Sequence, residues 1–194
     1  KRARILKNAS AKVPLAREII KNCFSRGDHW IVYCDNQKQL GQILTSLRQD
    51  GFDAMEYHSK MGGDPPSTLA YFESNGGIIV AIKCLDEGVD IPVASQALIL
   101  ASSKNPREFI QRRGRVLRTC KGKHLAFIHD AIVVPREITE DEKEVSIIEG
   151  EMARAIEFGS SALNPGSVYD LKRMCVRLGI DHTKYVDIGE EYGE

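Results

Sequence analysis

The chain has 194 residues, 42% of them hydrophobic and 28% charged. That length suits one domain, or one domain with a small appendage, since single domains usually run about 100–200 residues, and the composition excludes collagen-like and disordered classes. Lysine and arginine number 27 against 27 aspartates and glutamates, so whole-chain charge singles out no partner and any electrostatic argument must be local.

Periodicity then yields the elements in chain order. Val13, Ala16, Ile19, Ile20 and Cys23 recur at helical spacing, Gly27-Asp28 breaks the pattern, and Trp30-Ile31-Val32-Tyr33-Cys34 reads as a buried strand. Asp35-Asn36 offers an N-cap to a helix marked by Leu40, Ile43, Leu44 and Leu47, with Gly51 just past its end. A second strand is expected over 53–57. Asp64-Pro65-Pro66 opens a short helix through Phe72, Gly76-Gly77 ends it, and Ile78 to Ile82 is a third buried strand. A loop, 83–92, leads to a fourth strand over 96–100. Asn105-Pro106 opens a helix through an arginine-rich stretch, and a fifth strand is expected over 124–128.

From Arg136 onward the pattern is helical, with Ile147, Ile148, Met152 and Ile156 on one face. Asn164-Pro165-Gly166 separates this helix from a second one over 167–178, and an acidic tail occupies 187–194. Strands alternating with helices, the strands apolar on both faces, predict an α/β fold with a mainly parallel sheet covered by helices on both sides. The expected division is an α/β domain over 1–135 and a helical extension with the tail over 136–194.

Five cysteines, Cys23, Cys34, Cys84, Cys120 and Cys175, are scattered without a C-x-x-C pair, which argues against a disulfide framework or zinc site and makes a reducing, cytoplasmic setting the expectation. No stretch approaches the roughly 18 apolar residues of a membrane span, so no membrane partner is expected. The chain starts Lys1-Arg2 without methionine and runs directly into helical periodicity, as a piece of a longer protein would.

Two stretches carry candidate chemistry. Gln111-Arg112-Arg113-Gly114-Arg115-Val116-Leu117-Arg118 holds four arginines in seven residues. On a helix Gln111, Arg115 and Arg118 share a face at i, i+4 and i+7, while Arg112 lies over Glu108. The shared face suits a polyphosphate, because planar guanidinium forks bind phosphate oxygens bidentately and stay charged. A solvated basic face is the other reading. In Ala81-Ile82-Lys83-Cys84-Leu85-Asp86-Glu87-Gly88-Val89-Asp90-Ile91-Pro92, which follows a buried strand, Gly88 permits close backbone approach to a ligand and Asp90 can accept from ribose hydroxyls. Read alone, a Gly/Asp loop of this kind is more often an ordinary turn. Ligands in such folds gather beyond the carboxyl ends of strands. No G-x-x-x-x-G-K-[ST] occurs, Gly62-Gly63 and Gly122-Lys123 being wrongly spaced, so nothing in the chain can cradle a triphosphate and Mg²⁺ alone.

Taken in order, these segments resemble the C-terminal RecA-like domain of superfamily-2 helicases and translocases, of the DNA repair or restriction-enzyme type. Ile31 to Asn36 is similar to motif IV, Tyr57-His58-Ser59-Lys60-Met61 to the histidine element after the next strand, Ala81 to Pro92 to motif V, and Gln111 to Arg118 to motif VI. The resemblance implies a RecA-like motor domain without its own phosphate loop. ATP with Mg²⁺ would be held mainly by an N-terminal RecA-like domain of the same protein that carries Walker A and B, so this chain alone would be inactive. It further implies Gly88 and Asp90 at the ribose, Arg115 and Arg118 at the phosphates with Arg118 as the finger, and Gln111 orienting them. Nucleic acid, DNA by the wording of the motifs, would be met through its phosphate backbone. Many members have a threonine contact where this chain has Ile82, which shifts that contact to Lys83, with Asn36, Ser59 and Lys60 as further phosphate ligands. The rivals are a nucleic-acid-binding or regulatory module that keeps the fold without hydrolysis, and a nucleotide-binding α/β domain of unrelated function.

Overall fold

The computed structural model describes residues 7–82, 91–101, 114, 116, 118–135, 142–164 and 166–181. They form α1 (Lys12–Cys23), β1 (His29–Cys34), α2 (Gln37–Gln49), β2 (Ala54–Tyr57), α3 (Pro65–Asn75), β3 (Gly77–Ile82), β4 (Gln96–Ile99), β5 (Phe127–Asp130), α4 (Glu142–Ser160) and α5 (Gly166–Leu178). The five strands make one sheet in the order β2-β3-β1-β4-β5, and every pairing is parallel.

The sheet is apolar on both faces because both are covered. On one face Trp30, Val32, Ile78, Val80 and Leu98 pack beneath Ala16 and Ile20 of α1 and Leu40, Ile43, Leu44 and Leu47 of α2. On the other, Ile31, Tyr33, Ile79, Ala97 and Ile99 are buried as well, as strand alternation requires. There Phe72 of α3, fully buried, meets the ring of His29 edge-on at 5.1 Å.

Local chemistry sets the helix ends. Asn36 caps α2 by accepting from the Gln39 N–H at 3.0 Å, and Asp64 caps α3 through the Ser67 N–H at 3.1 Å, with proline in the first turn. Gly51, at φ 83°, follows α2. Helix α3 runs on past Phe72 to Asn75 and stops only where Gly76 and Gly77 take φ 76° and 109°. A Cβ at Gly77 would lie 2.9 Å from the Asp53 carbonyl oxygen, so two backbone segments touch where β3 begins.

The fifth strand lies later than its apolar run suggests. Phe127 pairs with Gln96 and Asp130 with Ile99, so the strand starts beyond 124–126. Phe127, at the start of this outer strand, is 52% exposed, as is Leu125 just before it, so hydrophobicity there does not report pairing; the register comes from β4.

The chain divides into two compact units between Ala131 and Ile132. In the C-terminal one Ile148, Met152 and Ile156 of α4 bury against Val168 and Cys175 of α5, with Ile132 and Val134 packed alongside. The helices approach closely at Gly159, where a Cβ would meet a Val168 methyl at 2.7 Å. No described helix is long and apolar enough to cross a membrane.

Candidate nucleotide and nucleic-acid faces

Because all five strands are parallel, their carboxyl ends share one edge. Asp35 and Asn36 follow β1 there, and His58, Ser59 and Lys60 follow β2. Between β2 and β1 lies β3, ending at Ile82; Lys83, next in sequence, lies outside the described residues. The edge therefore brings Asn36 together with Ser59 and Lys60 on either side of the strand that leads to Lys83. Ser59 and Lys60 are exposed. Their turn is braced by His58, whose Nδ1 accepts from the Lys60 N–H at 3.1 Å and whose Nε2 faces Glu56 at 3.4 Å.

Asn36 is more heavily committed. Its Oδ1 caps α2, and its Nδ2 donates to Asn8 and, at 3.2 Å, to Asp35. Asn8 in turn donates to Asp35 at 2.8 Å, and Gln39 accepts from the Asp35 N–H at 2.8 Å while donating to the Lys7 carbonyl at 3.1 Å. A phosphate reaching the Asn36 amide would compete with these bonds. Asp35 and its polar neighbours lie directly over Cys34, whose thiol is pushed up by burial and then by the Asp35 charge.

The remaining candidates fall elsewhere. Gly88, Asp90, Gln111 and Arg115 lie outside the described residues; the described chain resumes at Ile91 after the first two, and Gly114 and Val116 flank Arg115. Ile91 and Ala94 are buried and joined by an Ala94 N–H to Ile91 carbonyl bond of 3.1 Å, and the Ser95 N–H reaches the His29 carbonyl at 3.2 Å. Since His29 begins β1 and Gln96 begins β4, Ile91 to Ser95 lie toward the amino-terminal edge of the sheet. The 83–92 loop is expected beyond a carboxyl end; it follows Ile82 there and finishes here, because a connection between parallel strands must travel back along the sheet before the next strand starts.

Arg118 belongs to this second region. Gly114 and Val116 are helical and Val116 is fully buried, whereas Arg118 is exposed and no longer helical. Helical spacing from Gln111 therefore does not set its direction. Lys123 does what the helix no longer can: its Nζ donates to the carbonyls of Val116 at 2.6 Å, Arg118 at 2.9 Å and Pro92 at 3.0 Å. One ammonium thus joins the end of the arginine-rich stretch to the end of the Gly88–Asp90 loop, and its partial burial pulls the Lys123 pKa down. Lysine near a helix C-terminus commonly satisfies the last carbonyls. In the sequence Gly122-Lys123 stands only as a wrongly spaced phosphate-loop fragment, which carries no information about carbonyls elsewhere.

No group of three or more metal-ligating side chains occurs among the described residues. What those residues offer is a hydrogen-bonding surface at each of two ends of one sheet, with Lys60 exposed at one and Arg118 at the other.

Residues 11–120, more than half of the chain, match the helicase conserved C-terminal domain family. The chain belongs to this family. It is a helicase C-terminal domain of the superfamily-2 kind, part of an ATP-dependent helicase family, with the RecA-like α/β fold. A Methanocaldococcus jannaschii protein provisionally named an ATP-dependent RNA helicase is 22% identical over 116 residues, 55% of this chain and 15% of that protein. The ATP-dependent DNA helicase Q1 of Pongo abelii is 27% identical over 95 residues, 48% of this chain and 15% of its own length. The chain thus spans 15% of the length of each of these relatives. Among solved structures, the C-terminal domain of the DEAD-box protein Dbp5 superposes with a TM-score of 0.59 at 18% identity, covering 86% of this chain and 93% of that one, which is a likeness of fold.

Proposed function

We propose that this helicase C-terminal domain is the second half of an ATP-driven nucleic-acid motor, acting on DNA in a repair or restriction setting. ATP with Mg²⁺ sits mainly on an N-terminal RecA-like domain of the same protein; this domain adds Gly88 and Asp90 at the ribose and Arg115 and Arg118 at the phosphates, with Gln111 orienting them. At the carboxyl edge, Lys83, Asn36, Ser59 and Lys60 meet the nucleic-acid backbone. ATP hydrolysis in such a site is positioning and charge neutralisation, and a guanidinium reaching across the cleft links phosphate state to closure of the two domains.

The observation that carries this reading is the Lys123 junction, which brings the end of the Asp90 loop to Arg118 at a distance from the Asn36, Ser59 and Lys60 edge. A rigid sheet between two such faces can transmit closure over ATP to movement along a strand. DNA is favoured by the motif wording; the relatives include both an RNA and a DNA helicase. A reducing, cytoplasmic setting belongs to the same proposal and is supported by Cys23, Cys34, Cys120 and Cys175, all free thiols.

The test is ATPase activity of the full-length protein with single-stranded DNA, RNA or neither, beside the 194-residue chain alone. Stimulation by DNA above RNA, and no turnover by the chain alone, is the expected result. Stronger stimulation by RNA would overturn the DNA assignment. Robust turnover by the chain alone would overturn the half-site, and absence of turnover in the full-length protein would leave a binding module instead.

A further inference from the structure

We infer that Lys123 is a positioning residue for Arg118, holding the arginine's backbone at the nucleotide face; the inference rests on the function proposed above and extends it to a residue outside every helicase-like segment. An ammonium has three N–H donors and no acceptor. In Lys123 all three find carbonyl oxygens, those of Pro92, Val116 and Arg118, between 2.6 and 3.0 Å. Three donors meet three carbonyls.

The local chain is built to deliver that ammonium. Gly122 takes φ 84°, which favours glycine, and the Lys123 N–H returns to the Cys120 carbonyl at 3.0 Å, closing a four-residue turn. The turn aims the Lys123 side chain back at the carbonyls of Val116 and Arg118. Val116, fully buried, anchors the helical side of the junction, and Ile91, 2% exposed, anchors the loop side next to Pro92. Arg118 follows the described helical positions, and its carbonyl's bond to Lys123 links its backbone to both sides of the junction. A guanidinium that must reach a phosphoryl group on another domain loses rate steeply when displaced by an ångström, and two loops fixed by one cation move together rather than separately.

The alternative is a staple that serves stability alone, and a double-mutant cycle in the full-length protein separates the two. Lys123→Met should lower the nucleic-acid-stimulated kcat by about 10-fold or more with KM for ATP within about 3-fold, because an interaction made in the transition state is weakened. Lys123→Arg, which keeps charge and donors, should recover part of that loss. In an Arg118→Ala background Lys123→Met should add less than about 2-fold, since the group it positions is already gone. Wild-type kcat in Lys123→Met, or its full loss repeated in the Arg118→Ala background, would overturn the inference. Should Lys123→Met fail to fold, the same cycle with Lys123→Gln decides on the same criteria. A slow Arg118→Ala beside a fast Lys123 variant overturns this inference alone; a fast Arg118→Ala overturns the proposed function of that arginine and this inference with it.

Discussion

Lys12 of α1 donates its ammonium to the carbonyl of Leu100, the residue after β4 and 88 positions downstream. The side chain is 4% exposed, yet it lies beside the apolar face of the sheet. The same Leu100 donates its N–H to the Tyr33 carbonyl at 3.0 Å, so Lys12 closes the hydrogen bonding where β4 leaves the sheet. Lys12→Met retains the aliphatic stem but leaves a buried carbonyl without this donor. Urea unfolding of the chain should show a loss of about 1–3 kcal/mol; a change below about 0.5 kcal/mol, the size of an ordinary surface substitution, would contradict that role.

Two glycines should respond in opposite directions to alanine. Gly77→Ala places a Cβ 2.9 Å from the Asp53 carbonyl oxygen at φ 109°, where an L-residue is strained, and should cost about 2 kcal/mol or more. Gly41, inside α2, has open space around its missing Cβ, so Gly41→Ala should stabilise by about 0.5–1 kcal/mol through helix propensity. Thermal denaturation of the pair checks both signs, and equal effects would show that the backbone approach at Gly77 is wrong.

Much of this fold is legible in sequence because its signals are local. Asn36 before Leu40, Gly51 after Leu47 and Asp64 before Pro65 each announce a helix end through bonds made within a few residues. The strands β1 and β3 stand out as continuous apolar runs since both of their faces are covered. The start of β5 is not legible, because its register is dictated by Gln96 to Ile99 rather than by its own half-solvated residues. The site is legible only in its residue types. The arginines of 111–118 suit a phosphate partner by type alone, whereas the position of Arg118 past the helix and the carbonyls that Lys123 gathers from two loops are tertiary features. Lys12 and Lys123 leave no sequence signal for the same reason: their partners are backbone atoms brought in by tertiary structure.

Acid sensitivity should contain a contribution from Asp50. Its carboxylate accepts from Arg17 and lies 3.1 Å from Lys21, and the Arg17 hydrogen bond foremost holds its pKa at about 2, against about 3.9 for an unfolded aspartate. The folded state therefore binds the proton less readily than the unfolded state. This contribution is present above the unfolded value and is lost as pH falls from about 4 through about 2. Asp50→Asn should flatten the pH dependence of unfolding in that window, and an unchanged profile would show that the α1–α2 contact does not couple to protonation.

Thiol chemistry should separate the cysteines by burial. Cys23 is exposed at the end of α1, while Cys34, 1% exposed at the end of β1, has its thiol pushed well above the usual range by burial and by Asp35. Only the thiolate alkylates readily. Mass spectrometry after brief iodoacetamide treatment should find Cys23 modified and Cys34 protected until denaturant is added. Comparable labelling of both in the native protein would contradict the packing of α1 and α2 over the sheet.

The most direct measurement for the half-site is steady-state ATPase kinetics of the full-length protein carrying Arg118→Ala, with nucleic-acid affinity measured in parallel. If the Arg118 guanidinium stabilises charge on the transferring phosphoryl group, kcat should fall by about 10³-fold or more while nucleic-acid affinity stays within a few-fold. Arg118→Lys should recover little, since a point charge does not reproduce a planar bidentate fork. Near-normal turnover in Arg118→Ala, or a loss confined to nucleic-acid affinity, would contradict a nucleotide role for the face that Lys123 assembles.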